Sequence, residues 1–345
     1  MKSALPSVLR LGSLSVLWRP RAALVCGLLA LAGAALGILL MGTGTLPLTP
    51  GEVLSSLLGT GENPTADRIV LRIRLPRVAT AMLVGAALGM AGSIFQSISR
   101  NALGSPDIIG FTTGAATGAI VQIILFNAGP FETALAAALS GMGTAGVVFL
   151  LSMQGRSTGG YRLVLVGIGV GAIMSGVNTV LLVMGDLDRA SAAQIWLSGS
   201  LNTRTWFHVV PAAVGLAVVM PVAILHARRI DLLEMGDDAA SQLGVNVERT
   251  RLVMVMTAVG LTALATAATG PIAFIALAGP QLARRLTRSP GVPLVSGACM
   301  GAILLLAADL LSQRFPFNVS LPIGLTTGLL GGFYLLLLLT RSPKV

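Results

Sequence analysis

The chain has 345 residues, of which 54% are apolar and only 10% charged, and its mean hydropathy is +0.86. So few charges cannot cover a water-soluble domain of this size, and the composition is that of an integral membrane protein. The formal charge of +10 does not point to nucleic acid, because Lys and Arg fall in short clusters between apolar runs and form no basic face.

The first apolar run, 22–42, follows Arg10, Arg19 and Arg21 and is too long for the h-region of a signal peptide, so a retained first helix is expected there. A bilayer core takes about 20 apolar residues in helical form, with every backbone amide satisfied internally. Further uncharged stretches occur at 78–99, 108–131, 133–155, 163–185, 205–227, 252–283, 289–308 and 315–340. The stretch 252–283 is too long for one upright span and is interrupted at Gly270-Pro271 and Gly279-Pro280. Basic residues flank both of its ends (Arg249 and Arg251, then Arg284, Arg285 and Arg288), so a hairpin of two helices with both ends inside is expected. The expectation is therefore an all-α membrane protein of ten transmembrane helices, forming a single domain over 1–345 with a cytoplasmic N-terminal segment 1–21.

With the N-terminus inside, 16 of the 23 Lys and Arg fall on the inner side and 7 on the outer. That bias matches the positive-inside rule and places both termini in the cytoplasm. The 42 glycines recur with Ala and Ser, as in Gly85 to Gly89 and Gly110 to Gly118, which suits a bundle whose helices approach closely.

Few residues offer chemistry. Cys26 and Cys299 lie in apolar stretches, and with His208 and His226 they make neither a disulfide framework nor a zinc spacing. No phosphate-cradling Gly-x-x-x-x-Gly-Lys-Ser/Thr run is present, and the lysines are Lys2 and Lys344, so a transport energy source belongs to another polypeptide. Asp309 is the carboxylate inside an apolar run; it lies near an outer span end, and a structural bond to Gln313 or a neighbouring helix is favoured over a functional role. Asn178, in the fifth span, either faces a lumen or bonds between helices.

Two segments stand apart. The longest inner-side loop, about 227–251, contains Leu233, Glu234, Met235, Gly236, Asp237, Asp238, Ala239, Ser241, Gln242, Leu243 and Gly244. Asp237 and Asp238 suit a helix N-terminus, Ala239 to Leu243 favour helix, and Gly244 suits its C-terminal end, so a short helix is expected in a cytoplasmic loop. Packing in lipid gives such a helix no reason to exist, so docking on a cytosolic partner is favoured over a merely solvated loop. The outer loop before the second span carries Arg68, Arg72, Arg74 and Arg77, against the positive-inside rule. Either a partner compensates them or they snorkel to lipid phosphates.

At the inner loop the chain resembles the FecCD/BtuC family of ABC importer permeases. Other anchors, in order, are Arg74-Leu-Pro-Arg77, Leu83 to Gly89, Phe95-Gln96, Asn101 to Gly110, Gly270 to Pro280, Ala283-Arg284, Ala308-Asp309 and Leu321 to Gly324. The resemblance is strongest to ferric-siderophore members and implies a type II importer permease of the bacterial inner membrane. It implies that 233–244 couples to two ATPase subunits, which bind the ATP and Mg while this chain binds no cofactor. Arg74, Arg77 and Arg314 would meet a periplasmic siderophore-binding protein, and Asn101 and Leu103 would sit at a cytoplasmic gate. A second FecCD-type permease would complete the pathway; the resemblance favours a heterodimer, with a homodimer as the alternative. The second gate element of the family is not transferred, since the corresponding stretch reads Thr158-Gly159-Gly160-Tyr161-Arg162. The cargo implied is a ferric catecholate siderophore, with another iron chelate, haem or cobalamin as the alternative.

Rival classes lack residues. An ion-coupled secondary transporter calls for acids or histidines deep in the membrane, and Asp309 is too shallow. An intramembrane enzyme calls for a nucleophile beside a base, and both histidines lie at span ends.

Overall fold

Two five-residue strands precede the first helix: β1 (Ser7–Leu11) pairs antiparallel with β2 (Leu14–Trp18), Ser7 opposite Trp18. The computed structural model describes residues 7–11, 14–61, 63–154, 157–158, 160–314 and 321–341. Lys2, Arg156 and Lys344 of the inner-side charge count lie outside the described residues, as does Gly159.

The helices follow as α1 (Pro20–Gly42), α2 (Pro50–Leu58), α3 (Pro64–Ile69), α4 (Leu75–Ser99), α5 (Phe111–Leu125), α6 (Pro130–Ser152) and α7 (Gly160–Met184). A two-residue ladder, β3 (Met153–Gln154) with β4 (Ser157–Thr158), closes the α6–α7 turn. Next come α8 (Leu187–Leu197), α9 (Trp206–Glu234), α10 (Asp237–Gln242), α11 (Val247–Thr269), α12 (Ile275–Thr287), α13 (Leu294–Gln313) and α14 (Ile323–Arg341).

Among the described residues, seven helical stretches are long and apolar enough to cross a membrane: Pro20–Gly42, Pro64–Ser99, Pro130–Ser152, Tyr161–Met184, Trp206–Glu234, Val247–Thr269 and Leu294–Gln313. The sequence count of ten is not reached by that criterion. Phe111–Phe126 and Ile323–Leu337 are apolar but shorter, and α12 has 13 residues, with Arg284 and Arg285 in its last turn.

The bundle is built around α4. In Pro64–Ser99, 78% of the apolar window is buried, against 11% in Tyr161–Met184, so α4 is the hub and α7 lies at the periphery of this chain. α4 packs on α13, α11, α9 and α12, while α5 pairs with α6 and α7. In the middle of the α4–α13 seam glycines let the two backbones touch. A Cβ added at Gly85 would meet the Gly301 carbonyl at 2.5 Å, and one at Gly89 would collide with the carbonyl of Gly297. Small residues bring backbones this close where lipid supplies no hydrophobic drive between helices.

Three sequence-based boundaries change. Gly270-Pro271 does end α11, but Gly279-Pro280 does not break the next helix, because α12 runs through Pro280. Proline removes the amide that would bond the carbonyl four residues back, here that of Ala276. α4 passes that freed carbonyl so closely at Gly92 that a Cβ there could not fit. The 227–251 loop is mostly helix, since α9 continues to Glu234 and α11 starts at Val247, which leaves α10 at a tight corner. Finally, the segment 43–77, expected as an outer loop, holds α2, α3 and a π-helical turn, Val70–Arg74. α2 starts with a capping box in which the Thr49 amide and hydroxyl hold the Glu52 carboxyl below its ordinary range.

Candidate functional site

The corner between α9 and α11 is set by two glycines. Gly236 has φ 117° and ψ 153°, a conformation that only glycine adopts readily, and it turns the chain out of α9 so that α10 begins at Asp237. Gly244, at φ 83°, follows the C-cap Leu243 and returns the chain toward α11. Ala240 is fully buried beneath the short helix, and Leu233 anchors the end of α9 at 3% exposure. Met235 and Leu243 are 67% and 61% exposed, and Asp238, Ser241 and Gln242 also lie outward. The corner thus presents an apolar side chain on each flank of α10, with polar ones between, the composition of a contact surface.

Behind α10 the charges are paired. Asp237 receives two bonds of 2.9 Å from Nη2 of Arg251, which is 2% exposed and also bonds Glu248 at 2.8 Å. Asp237 also pairs with Arg100 at 3.1 Å. Glu234, the last residue of α9, accepts from Ser97 Oγ at 2.6 Å and from Arg284 Nη2 at 2.7 Å.

Arg100 is the left-handed C-cap of α4, at φ 50°, and Asn101 follows it. The Asn101 carboxamide accepts from the Leu103 amide at 2.9 Å, folding the chain into a tight turn from which Leu103 projects, 45% exposed. Gln281 on α12 donates to the Ala102 carbonyl at 2.6 Å, and Tyr334 of α14 donates to Gln281 at 3.1 Å. Gln96 donates to the Leu277 carbonyl at 2.9 Å. A cleft of about 500 Å³ opens between these groups, lined by Gln96, Arg100, Asn101, Ala102, Glu234, Gln281, Arg284 and Arg285. No sequence pattern announced Gln96, Gln281 or Tyr334, because Gln96 and Gln281 reach backbone carbonyls across the bundle and Tyr334 reaches the Gln281 side chain.

At the opposite end, Arg77 grips Asp309 with two bonds, Nε to Oδ2 at 3.0 Å and Nη2 to Oδ1 at 2.6 Å. Asp309 is fully buried, Arg77 also reaches Asn202 at 2.7 Å, and Gln313 donates to Asp309 at 3.1 Å. The expected Gln313 contact is present, and the partner on a neighbouring helix is Arg77 itself. Arg74 donates to the carbonyls of Met41 and Leu46, at the end of α1 and just beyond it. Arg68, Arg72 and Arg314 are exposed. Asn178 takes its interhelical alternative: it accepts from Thr117 at 2.6 Å and donates to the Thr113 carbonyl at 3.2 Å, tying α7 to α5. Among the described residues no cluster of His, Cys, Asp and Glu could hold a metal.

The FecCD transport family matches residues 28–341 of the sequence. The chain belongs to that family. Among FecCD relatives, the ferric enterobactin transport system permease protein FepG of Escherichia coli is 44% identical over 94% of this chain and 98% of its own. The hemin transport system permease protein HmuU of Yersinia pestis is 33% identical over 84% of this chain and 88% of its own. A solved structure of an inward-facing metal-chelate type ABC transporter superposes with a TM-score of 0.83 at 25% identity, covering 93% of this chain and all of that one. The FecCD match makes the chain a multi-pass membrane transport component, and the α9–α10–α11 corner and the Asn101 turn lie inside the matched residues.

Proposed function

We propose that this chain is the membrane-spanning permease of an ATP-driven ABC importer, and that its cargo is an iron chelate of the ferric-siderophore class. The observation that carries the reading is α10, a short helix flanked by exposed apolar Met235 and Leu243 and held at a corner between two long apolar helices in a FecCD-family chain. On this reading residues 233–244 seat against ATPase subunits, two of which serve a pair of permeases, and ATP with its Mg is bound by them. The cargo class follows from FepG, the 44% identical ferric enterobactin relative.

We assign ten spans by adding α5, α12 and α14 to the seven long apolar stretches, with α10 and both termini on the cytoplasmic side of a bacterial inner membrane. A binding protein would deliver cargo to the outer face, where Arg74, Arg77 and Arg314 are the proposed contacts. Since Arg74 and Arg77 hold intrachain partners, they would define the shape of that face while exposed Arg314 offers charge. Charge pairing there would govern register and on-rate more than affinity. Asn101 and Leu103 form the proposed cytoplasmic gate, and Asn178 braces the fifth span beside the pathway. A second FecCD-type permease faces this one across the translocation path.

The test is uptake of a ferric catecholate into proteoliposomes holding the copurified permeases, ATPase and binding protein. Uptake should require ATP and stop with vanadate. Uptake that persists in vanadate and collapses with the proton gradient would refute the proposal.

A further inference from the structure

The contacts between the α10 corner and the Asn101 turn are one ion pair and two hydrogen bonds, and they converge on a single stretch of six residues. Asp237 at the start of α10 pairs with Arg100. Glu234 at the end of α9 accepts from Ser97, three residues before Arg100, and from Arg284 on α12. α12 in turn holds the Ala102 carbonyl through Gln281. Residues 97–102 therefore receive three inputs from the corner: at Ser97 directly, at Arg100 directly, and at Ala102 by way of α12. Asn101, whose side chain closes the turn that presents Leu103, lies between the last two.

On the other side, Arg251 fixes Asp237 to α11. Its guanidinium is almost fully buried and binds both Asp237 oxygens and Glu248. With Nη2 on Asp237 and Nη1 on Glu248, the guanidinium is held at two points and stays in place when one contact shifts. Asp237 is thus hinged on a buried cation and tied to a half-exposed one, Arg100, which is 43% exposed. Displacing α10 about the buried contact moves the exposed one, and with it the α4 C-cap.

We propose that Arg100 and Ser97 are positioning residues that carry displacement of the α10 corner to the gate turn, through Asp237 and Glu234, with Arg251 as the fixed pivot. The inference rests on the ATP-driven permease reading and adds the route by which the stroke reaches the gate. Half-exposed pairs add little to folding, so Arg100 can be altered without unmaking the bundle.

The experiment uses the complete transporter in proteoliposomes, with ferric chelate uptake and ATP hydrolysis measured on the same preparation. In Arg100→Gln, chelate moved per ATP hydrolysed should fall about tenfold, the size of a typical coupling loss, while the ATPase still copurifies and hydrolyses ATP at the wild-type rate. Arg100→Lys, which keeps a cation facing Asp237, should restore most of the ratio. Spin labels on Leu103→Cys and Ser241→Cys supply a second readout: ATP should still move the label at 241 in Arg100→Gln, but no longer the label at 103. A wild-type ratio in Arg100→Gln, an equal fall in Arg100→Lys, or an unchanged ATP response at 103 would each overturn the route. Loss of ATP dependence in the wild-type complex would instead sink the permease reading itself, so the two failures are distinguishable.

Discussion

Arg77 and Asp309 form a bidentate ion pair between the first turn of α4 and the C-terminal part of α13, with the carboxylate fully buried. The pair closes the seam whose middle is made by Gly85, Gly89, Gly297 and Gly301, so one end of the α4–α13 contact is ionic, its middle is backbone against backbone, and Ser93 bonds the Pro293 carbonyl at the other end. Removing one member of a buried pair leaves the other charge uncompensated, at a cost of about 3–5 kcal/mol. Asp309→Ala should therefore lower the thermal midpoint of the detergent-solubilised protein sharply. Asp309→Asn keeps two polar atoms facing Arg77 and Gln313 and should fall between. A wild-type midpoint for Asp309→Ala would show that the pair contributes nothing net. The same geometry means that a transport defect in Arg77→Glu reports folding as well as docking, whereas Arg314→Glu isolates docking.

Gly89 tests the seam itself. A methyl at this position collides with the Gly297 carbonyl, which is backbone and cannot rotate away. Overpacking of this kind costs about 1–3 kcal/mol, so Gly89→Ala should shorten the half-life of the solubilised protein at elevated temperature. Gly143, with open space around its would-be Cβ, is the control, and Gly143→Ala should leave the half-life unchanged. Equal behaviour of the two variants would contradict the close approach.

Apolar runs and their charged borders made the long helices legible, because a span declares itself in composition. The corner was legible too: Asp237-Asp238 and Gly244 mark the two ends of α10 in sequence and in structure. Its neighbours were not, since α9 continues past Arg228 and Arg229 to Glu234, and charged residues mark where lipid ends and not where helix ends. Pro280 misled for a related reason. The carbonyl it strands is accommodated by Gly92, a residue almost two hundred positions away, and no local pattern encodes that. The α2 helix, by contrast, could have been found, since Thr49-Pro-Gly-Glu52 is a capping-box sequence with proline at the first helical position. Gln281 and Asn202 escaped notice because a polar residue bonding a distant partner leaves no periodic trace.

Gly236 offers a test of the corner that leaves every charge in place. Its φ of 117° with ψ of 153° lies in a region essentially reserved for glycine, and a side chain there costs about 1–3 kcal/mol. The wild-type Cβ position is open, with the Arg100 guanidinium 3.8 Å away, so the penalty is one of backbone and not of crowding. Gly236→Ala should relieve itself by tilting α10 relative to α9. Reduced copurification of the ATPase, with a melting midpoint lowered by no more than a few degrees, is the expected outcome. Full copurification would mean that the angle of α10 does not matter to docking.

The side of the membrane on which α10 lies can be measured without any partner. Ser241 is exposed on the outer surface of α10, its hydroxyl turned back to the Asp238 carbonyl at 2.8 Å, so cysteine in its place should be tolerated and open to reagent. Cys26 and Cys299 are both partly buried within α1 and α13 and supply a low background. In intact cells an impermeant maleimide should fail to label Ser241→Cys, and it should label the same variant once the membrane is opened. A cysteine replacing Asn63, the exposed N-cap of α3 in the 43–77 segment, should behave in the opposite way and react in cells whose outer barrier alone is permeabilised. Labelling of Ser241→Cys from outside would place α10 where no ATPase can reach it, and the orientation inferred from the arginine bias would then be reversed for the whole bundle.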